Sequence, residues 1–235
     1  MEYSKVSFAI IPARGGSQRI KKKNIKEFYS KPILYWTIKA LKRSKLFSKI
    51  VLTTDDSKIA KIARQLGVDH IISRPSNLAD NYTPTKPVIE HAVRALKKKF
   101  KIKYACCVYP CNPFLNSLDL KKSFKVLKKN KNNFVFPITE YTHPIQRAFK
   151  LAKKSKLIFF TKKHELTRTQ DLVKSYHDVG QFYWGSVSNW LSKKKMHSNG
   201  IGLPIPKWRV VDIDNLQDWK RAELLFKVLK INGKN

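Results

Sequence analysis

Two short stretches at opposite ends of the chain carry residue types that could do chemistry together. The first runs Ala13, Arg14, Gly15, Gly16, Ser17, Gln18, Arg19, Ile20, then Lys21 to Lys23 and Asn24. Adjacent glycines can take positive φ and let a ligand approach the backbone. Arg14, Arg19 and Lys21 to Lys23 set five cations around a loop expected to offer free amides, which suits a polyphosphate. A surface loop of a lysine-rich protein would look similar, and the pattern is neither Gly-x-x-x-x-Gly-Lys-Ser/Thr nor Gly-x-Gly-x-x-Gly. The second stretch is Val210, Val211, Asp212, Ile213 and Asp214. On a strand, Asp212 and Asp214 would share a face, and two carboxylates beside a polyphosphate suit Mg2+. Spacing alone fits equally well a helix N-cap at Asp214 with Asp212 paired to a lysine.

Two further groups carry polar chemistry. The segment from Arg74 to Thr85, with Pro75, Asn77, Asp80, Asn81, Thr83 and Pro84, reads as a loop entering a helix with Thr83 or Thr85 near its N-cap. An ordinary cap and turn would account for all of it. Later come His143-Pro-Ile-Gln146-Arg147, Gln170-Asp171 and the run from Tyr176 to Gly185. Arg147, Arg168, His177, Asp178 and Gln181 there offer a cation for a carboxylate and amides or carboxylates for hydroxyl and N-acyl groups. A lid or dimer surface would use the same residues.

These residues need a frame, and the rest of the sequence supplies one. At 235 residues the chain is long enough for one well-buried domain. Val6 to Ile11 is a β-branched run that does not alternate, as expected of a strand buried on both faces, and Pro12 ends its pairing. Further strands are expected over Ile50 to Thr54, His70 to Ile72, Tyr104 to Tyr109 and Asn133 to Thr139. Helices are expected from Pro32, from Asp55 or Asp56 to Gly67, over Thr85 to Phe100 and over Ser117 to Lys129. Strand–helix alternation with short links argues for an α/β, mostly parallel sheet with helices on both faces. Ligands then bind beyond the carboxyl ends of the strands, where the Arg14 loop would lie. The pattern loosens from about 140 to 190, where Phe149 to Phe160 reads as a hairpin, and this stretch is expected to be a small inserted lobe that dimerises and covers the substrate. A last helix, Leu216 to Leu229, should pack back on the sheet.

The net charge of +33 would suit a nucleic-acid binder. Its lysines are spread along the chain without a zinc-finger, RNP-like or basic-zipper pattern, so no dedicated nucleic-acid binding is expected. No apolar run is long enough to span a bilayer, and the start lacks the n-region, h-region and cleavage site of a signal peptide. With Cys106, Cys107 and Cys111 read as buried thiols, the expected compartment is the cytoplasm.

The stretch from Phe8 to Asn24 resembles the nucleotide-binding signature of the cytidylyltransferases that activate nine-carbon sugar acids, the CMP-sialic acid synthetase group. Arg74-Pro-x-x-Leu78-Ala79 is similar to that group's cytosine and ribose segment, and Asp212-Ile-Asp214 followed by Asp218 is similar to its metal-binding element. His143-Pro-Ile-Gln-Arg147 with Tyr176-His-Asp-Val-Gly-Gln-Phe-Tyr-Trp-Gly185 looks like the branch that takes pseudaminic acid. The likeness covers nearly the whole chain. It implies a Rossmann-like nucleotidyltransferase fold and a homodimer, with CTP and a nine-carbon sugar acid as substrates and Mg2+ as cofactor. By the same resemblance, Ala13, Arg14, Gly15, Gly16, Ser17, Arg19, Lys23, Asn24, Arg74, Thr83 and Thr85 bind the nucleotide. Gln146, Arg147, His177, Asp178 and Gln181 bind the sugar acid, and Asp212 with Asp214 holds the metal. Arg14, Lys23 and Asp214 are the expected catalytic residues. Two positions depart from the pattern: Gln18 stands where the group usually has lysine, and Tyr109 where it has a substrate-facing glutamine.

Overall fold

The computed structural model describes residues 6–231. In chain order the first half forms β1 (Ser7–Pro12), a small ribbon of β2 (Glu27–Phe28) and β3 (Lys31–Pro32), α1 (Ile33–Ser44), β4 (Lys49–Thr54), α2 (Ser57–Gln65), β5 (His70–Ser73), α3 (Thr85–Lys97), β6 (Tyr104–Val108), α4 (Ser117–Lys129) and β7 (Phe134–Glu140). The second half adds a hairpin of β8 (Phe149–Leu151) and β9 (Leu157–Phe159), then β10 (Tyr176–Asp178), β11 (Phe182–Ser186), α5 (Val187–Leu191), β12 (Gly200–Pro204) and α6 (Leu216–Ile231).

The main sheet runs β5-β4-β1-β6-β11-β7-β10, with β12 also paired to β7. The pairs β5–β4, β4–β1, β1–β6 and β7–β12 are parallel. β11 is antiparallel to β6 and β7. From β1 the chain crosses to β4 and β5 on one side, then back to β6 on the other. That reversal of strand order opens a crevice at the carboxyl ends of β1 and β6, where open α/β sheets bind ligands.

Both faces of the sheet are packed. On one, Ala9, Ile11, Leu52, Cys106 and Val108 meet Leu34, Ile38 and Leu41 of α1 and Phe124 and Leu127 of α4. On the other, Phe8, Ile10, Val51, Ala105 and Cys107 meet Ile89, Ala92, Val93 and Leu96 of α3. Cys106 and Cys107 thus face opposite ways, as adjacent strand residues must. Asp56 caps α2 by accepting from the amides of Lys58 (2.7 Å) and Ile59 (3.0 Å). Gly67 ends that helix at φ +77°, a conformation that suits glycine.

Three expectations change. Tyr183, Trp184 and Trp190 lie in the core of the main sheet, not in a lobe; the lobe is confined to the irregular stretch between β7 and β10 that carries β8 and β9. α6 packs not on the sheet but on a third cluster, where Trp219, Ala222, Phe226 and Leu229 meet Ile20, Phe28, Ile33, Phe114 and Ile213. Its first residue, Leu216, is exposed. The sheet was already covered by α1 and α4, so the apolar stripe of α6 closes over the segment that follows the glycine turn. Residues 210–214 form no strand; they are an extended link between a single 3-10 turn (Lys207–Arg209) and α6.

Candidate active site

Four adjoining parallel strands each deliver a site residue just past the carboxyl end. Arg14 follows β1, Asp55 follows β4, Arg74 follows β5, and Tyr109 to Asn112 follow β6. Because β11 is antiparallel, the residue before its start, Gln181, arrives at the same edge, and its carbonyl accepts from the Tyr109 amide at 3.0 Å.

The glycine turn is held from behind. The Gly15 amide donates to Asp55 Oδ1 at 3.0 Å and the Ser17 amide to the Gly15 carbonyl at 2.9 Å, so these two amides are engaged within the protein. Neither Gly15 nor Gly16 has positive φ; in this loop that conformation falls on Lys22, at φ 52°. Gly15 answers a different need: a Cβ there would sit 2.8 Å from Asp56 Oδ2. Asn24 is buried, its Nδ2 donating to the Arg14 carbonyl (2.8 Å) and its Oδ1 accepting from the Cys111 thiol (3.1 Å). Its carboxamide therefore ties the turn to the end of β6.

Arg14 reaches across to the loop after β5, where Nη1 donates to the Asp80 carbonyl (2.8 Å) and Asn81 Oδ1 (2.6 Å). Both acceptors are neutral, so the guanidinium keeps its charge for an anion. Asp80 turns the loop by accepting from the amides of Tyr82 and Thr83 at 2.8 and 2.6 Å, which holds its carboxyl below the usual range. Thr85 is the first residue of α3, whose N-cap is Pro84; its hydroxyl meets Tyr109 Oη at 2.7 Å. Arg74 is buried, with Nη2 on the Thr53 carbonyl (3.0 Å) and Nε without a partner. Burial lowers its pKa, against the raising effect of Asp55.

The acidic link arrives from the other side. Arg19 Nη2 lies 2.9 Å and Lys23 Nζ 3.6 Å from Asp214 Oδ1, and Lys23 also donates to the Ile213 carbonyl at 2.8 Å. Asn215, not Asp214, caps α6: its Oδ1 accepts from the amides of Gln217 and Asp218. Asp218 returns the bond, accepting from the amides of Asn215 and Asp214, a reciprocal arrangement like the capping box. Asp214 is thereby left to face the cations. Partial desolvation, then the neighbouring Asp214 charge, pushes the Asp212 carboxyl up from its usual range, against the pull of Lys23.

Two adjoining cavities result. The first, about 180 Å³, is lined by Arg14, Ser17, Gln18, Arg19, Lys23 and Asp214, among others. The second, about 110 Å³, includes Tyr109, Cys111, Asn112, Gln181 and Asp212 in its wall. Lys23, Asn24 and Pro110 belong to both. The acidic pair straddles their junction, with one carboxylate on each side.

The residues expected to bind the sugar acid are placed differently from one another. Gln181 lines the second cavity. Asp178, before it, is spent inside the protein: Oδ1 accepts from the Gly180 amide (2.8 Å), and Oδ2 from Tyr183 Oη (2.7 Å) and His197 Nε2 (2.8 Å). This carboxylate fixes the turn that presents Gln181. His177 Nδ1 bonds the Asp178 carbonyl, and Gln146 Nε2 donates to the Val173 carbonyl within the lobe. Arg147 lines a separate, open cavity of about 570 Å³ beside Tyr141, His143 and Phe149. Gln146, Arg147 and His177 line neither cavity of the crevice. Sequence reasoning passed over Asn112 and Cys111 in the second cavity wall and Asp55 behind the turn. Their position just past the ends of two buried strands was the available signal.

Comparison with known proteins follows the same lines. The family model for cytidylyltransferases matches residues 8–197. The chain is 38% identical over 226 residues to a pseudaminic acid cytidylyltransferase of Campylobacter jejuni, covering 94% of this chain and 97% of that protein. It is 28% identical to an Escherichia coli N-acylneuraminate cytidylyltransferase, over 91% of this chain and 50% of that one. Among solved structures, a CMP:2-keto-3-deoxy-manno-octonic acid synthetase complexed with CTP superposes with a TM-score of 0.68 at 11% identity, covering 95% of this chain and 99% of the other. A 4-diphosphocytidyl-2C-methyl-D-erythritol synthase of Anaerococcus prevotii gives a TM-score of 0.65 at 15% identity, with the same coverage.

Proposed function

The chain belongs to the cytidylyltransferase family, and from that premise we propose that it couples CTP to a nine-carbon sugar acid, pseudaminic acid, releasing pyrophosphate. The observation that carries this reading is the junction of the two cavities, where Lys23 lines both and Asp212 and Asp214 flank the boundary. The triphosphate takes the cationic cavity of Arg14, Arg19 and Lys23, and the nucleoside extends towards Arg74, Thr83 and Thr85. Arg74 Nε, buried and without a partner, is a donor awaiting an acceptor there. The sugar acid takes the second cavity, with its anomeric hydroxyl at the junction. The hydroxyl oxygen bonds to the α-phosphorus as the bond from that phosphorus to the β-bridging oxygen breaks. The hydroxyl proton passes to Asp214 or to water.

The charge that grows on the departing pyrophosphate meets Arg14 and Lys23, and in such transfers positioning and charge neutralisation supply most of the rate. Gln18 leaves Arg19 to provide the cation that a lysine gives elsewhere in the family. Asp212 and Asp214 fit Mg2+: both offer oxygen donors, and their mutual repulsion is relieved by a cation. Mg2+ is commonly held by one or two carboxylates together with substrate phosphates, and Asp212 and Asp214 would supply that number. When bound, Mg2+ supplies charge neutralisation on the phosphate oxygens.

The lobe presents Phe149, Leu151, Leu157, Ile158 and Phe160 to solvent on an isolated two-stranded hairpin. Such a hairpin is marginal alone, so a homodimer formed across it is part of this reading. No helix among the described residues is long and apolar enough to cross a membrane; free thiols and the use of CTP suit the cytoplasm.

The test is pyrophosphate release from CTP and Mg2+ with pseudaminic, sialic, legionaminic or 3-deoxy-octulosonic acid in turn. Release with pseudaminic acid well above the others is expected. No release with any sugar acid, together with retention of DNA or RNA at ~0.2 M salt, would contradict it.

A further inference from the structure

The wall of the second cavity contains a polar group that the fold does not use. Asn112 is 5% exposed, and its side-chain nitrogen is buried with no hydrogen-bond partner. Its backbone is secured without the side chain. The Asn112 amide donates to Thr37 Oγ1 at 3.3 Å, and its carbonyl accepts from the Leu115 amide at 3.2 Å. Thr37 Oγ1 itself donates to the Pro110 carbonyl at 2.9 Å, which pins the loop two residues earlier. The backbone is thus held by its loop, and the carboxamide is left with an unmet donor. Native proteins satisfy nearly all buried donors, so an orphan on a residue of the cavity wall is a candidate for a ligand acceptor.

Two neighbouring wall groups are already committed. The Cys111 thiol bonds Asn24, and Lys23 is engaged with the Ile213 carbonyl and Asp214. Gln181 is the other carboxamide in the wall, 4% exposed. A carboxamide both gives and takes hydrogen bonds, and a secondary amide matches it in both senses. Resting on the function proposed above, we infer that Asn112 is a specificity-determining residue that reads an acylamino group of the sugar acid, donating to its carbonyl oxygen.

A site built to bond a polar substituent strongly rejects analogues that lack it, because its own buried group is then left unpaired. The wild type should therefore favour an N-acylated nine-carbon acid over 3-deoxy-octulosonic acid, which has no nitrogen. The experiment compares the wild type with Asn112→Asp, which keeps the shape but has no N–H, and Asn112→Leu, which removes both polar atoms. Steady-state pyrophosphate release is measured against each sugar acid and against CTP, alongside thermal unfolding of the free proteins. Both variants are expected to raise KM for the N-acylated acid by about 10- to 100-fold, to lower the preference over 3-deoxy-octulosonic acid correspondingly, and to leave KM for CTP within about twofold. The unliganded Asn112→Leu protein should melt no lower than the wild type, since no bond is lost. An unchanged sugar-acid KM in a turning-over Asn112→Asp enzyme would overturn the inference while leaving the proposed function intact. If Asn112→Leu does not fold, Asn112→Asp decides alone. A wild type that releases pyrophosphate with no sugar acid would overturn both.

Discussion

Arg14 is bonded to a carbonyl and a carboxamide, whereas Arg19 and Lys23 are bonded to Asp214. On the proposed reading the first cation is ready for an anion, and the other two exchange a carboxylate for a phosphate. The exposed Arg19–Asp214 pair contributes little to stability, about 0–1 kcal/mol, so that exchange is cheap. Arg14→Ala should lower kcat/KM by about 10²–10³ with little change in melting temperature; activity within threefold of the wild type would remove Arg14 from the chemistry. Asp212 gives a pH signature. Its folded pKa is raised by desolvation and by Asp214, so the ionised form opposes folding at neutral pH, and that loss is recovered as pH falls through the raised value. Metal-free Asp212→Asn should therefore melt higher than the wild type at neutral pH. For the same reason, the Mg2+ concentration for half-maximal rate should begin to climb above the ordinary aspartate range as pH is lowered, which metal titrations at several pH values would record.

Among elements, α6 has the least obvious part. Its stripe packs on Ile20, Phe28 and Ile213, so one helix holds both the segment after the glycine turn and the residue between the two aspartates. Truncating Trp219, which is 4% exposed and meets Phe28 edge-on, should cost about 3–5 kcal/mol. The folded fraction should also need more Mg2+, as denaturant melts and metal titrations of Trp219→Ala would show. The sequence revealed the stripe of α6 but not its partner, because periodicity tells which face is buried and not against what. Strands β1, β4, β5, β6 and β7, a cap at Asp55 or Asp56 and the Gly67 stop were legible because they are set by residues within a few positions of each other, whereas β10, β11 and β12 were not read as strands. Gly15 was legible as a special position for another reason than the true one: its neighbour Asp56 comes from a different strand–helix unit. The spent carboxylate of Asp178 depends on how the chain folds back to bring Gly180, Tyr183 and His197 around it, and the orphaned amide of Asn112 on a loop pinned by Thr37 from another unit; composition carries no trace of either.

At the scale of the molecule, strand order and the packing of α6 gather chemistry from both ends of the chain into one crevice, in a protein of net charge +33. Both proposed substrates are anions, so this field should speed their encounter and do so less at high salt. The lobe supplies the other large-scale feature. Leu151→Asp with Ile158→Asp, both at exposed hairpin positions, should convert a dimer to a monomer in light scattering; a wild type that is already monomeric would rule that surface out. The central claim is that the glycine turn and the acidic pair serve one metal–triphosphate, and calorimetric titration of CTP with and without Mg2+ tests it most directly. Wild type should bind CTP more tightly with Mg2+. Asp212→Asn/Asp214→Asn should lose that dependence while binding metal-free CTP at least as well, because two repelling charges are gone and Arg19 and Lys23 are released. If the double variant kept the full effect of Mg2+, the two stretches would not share a ligand.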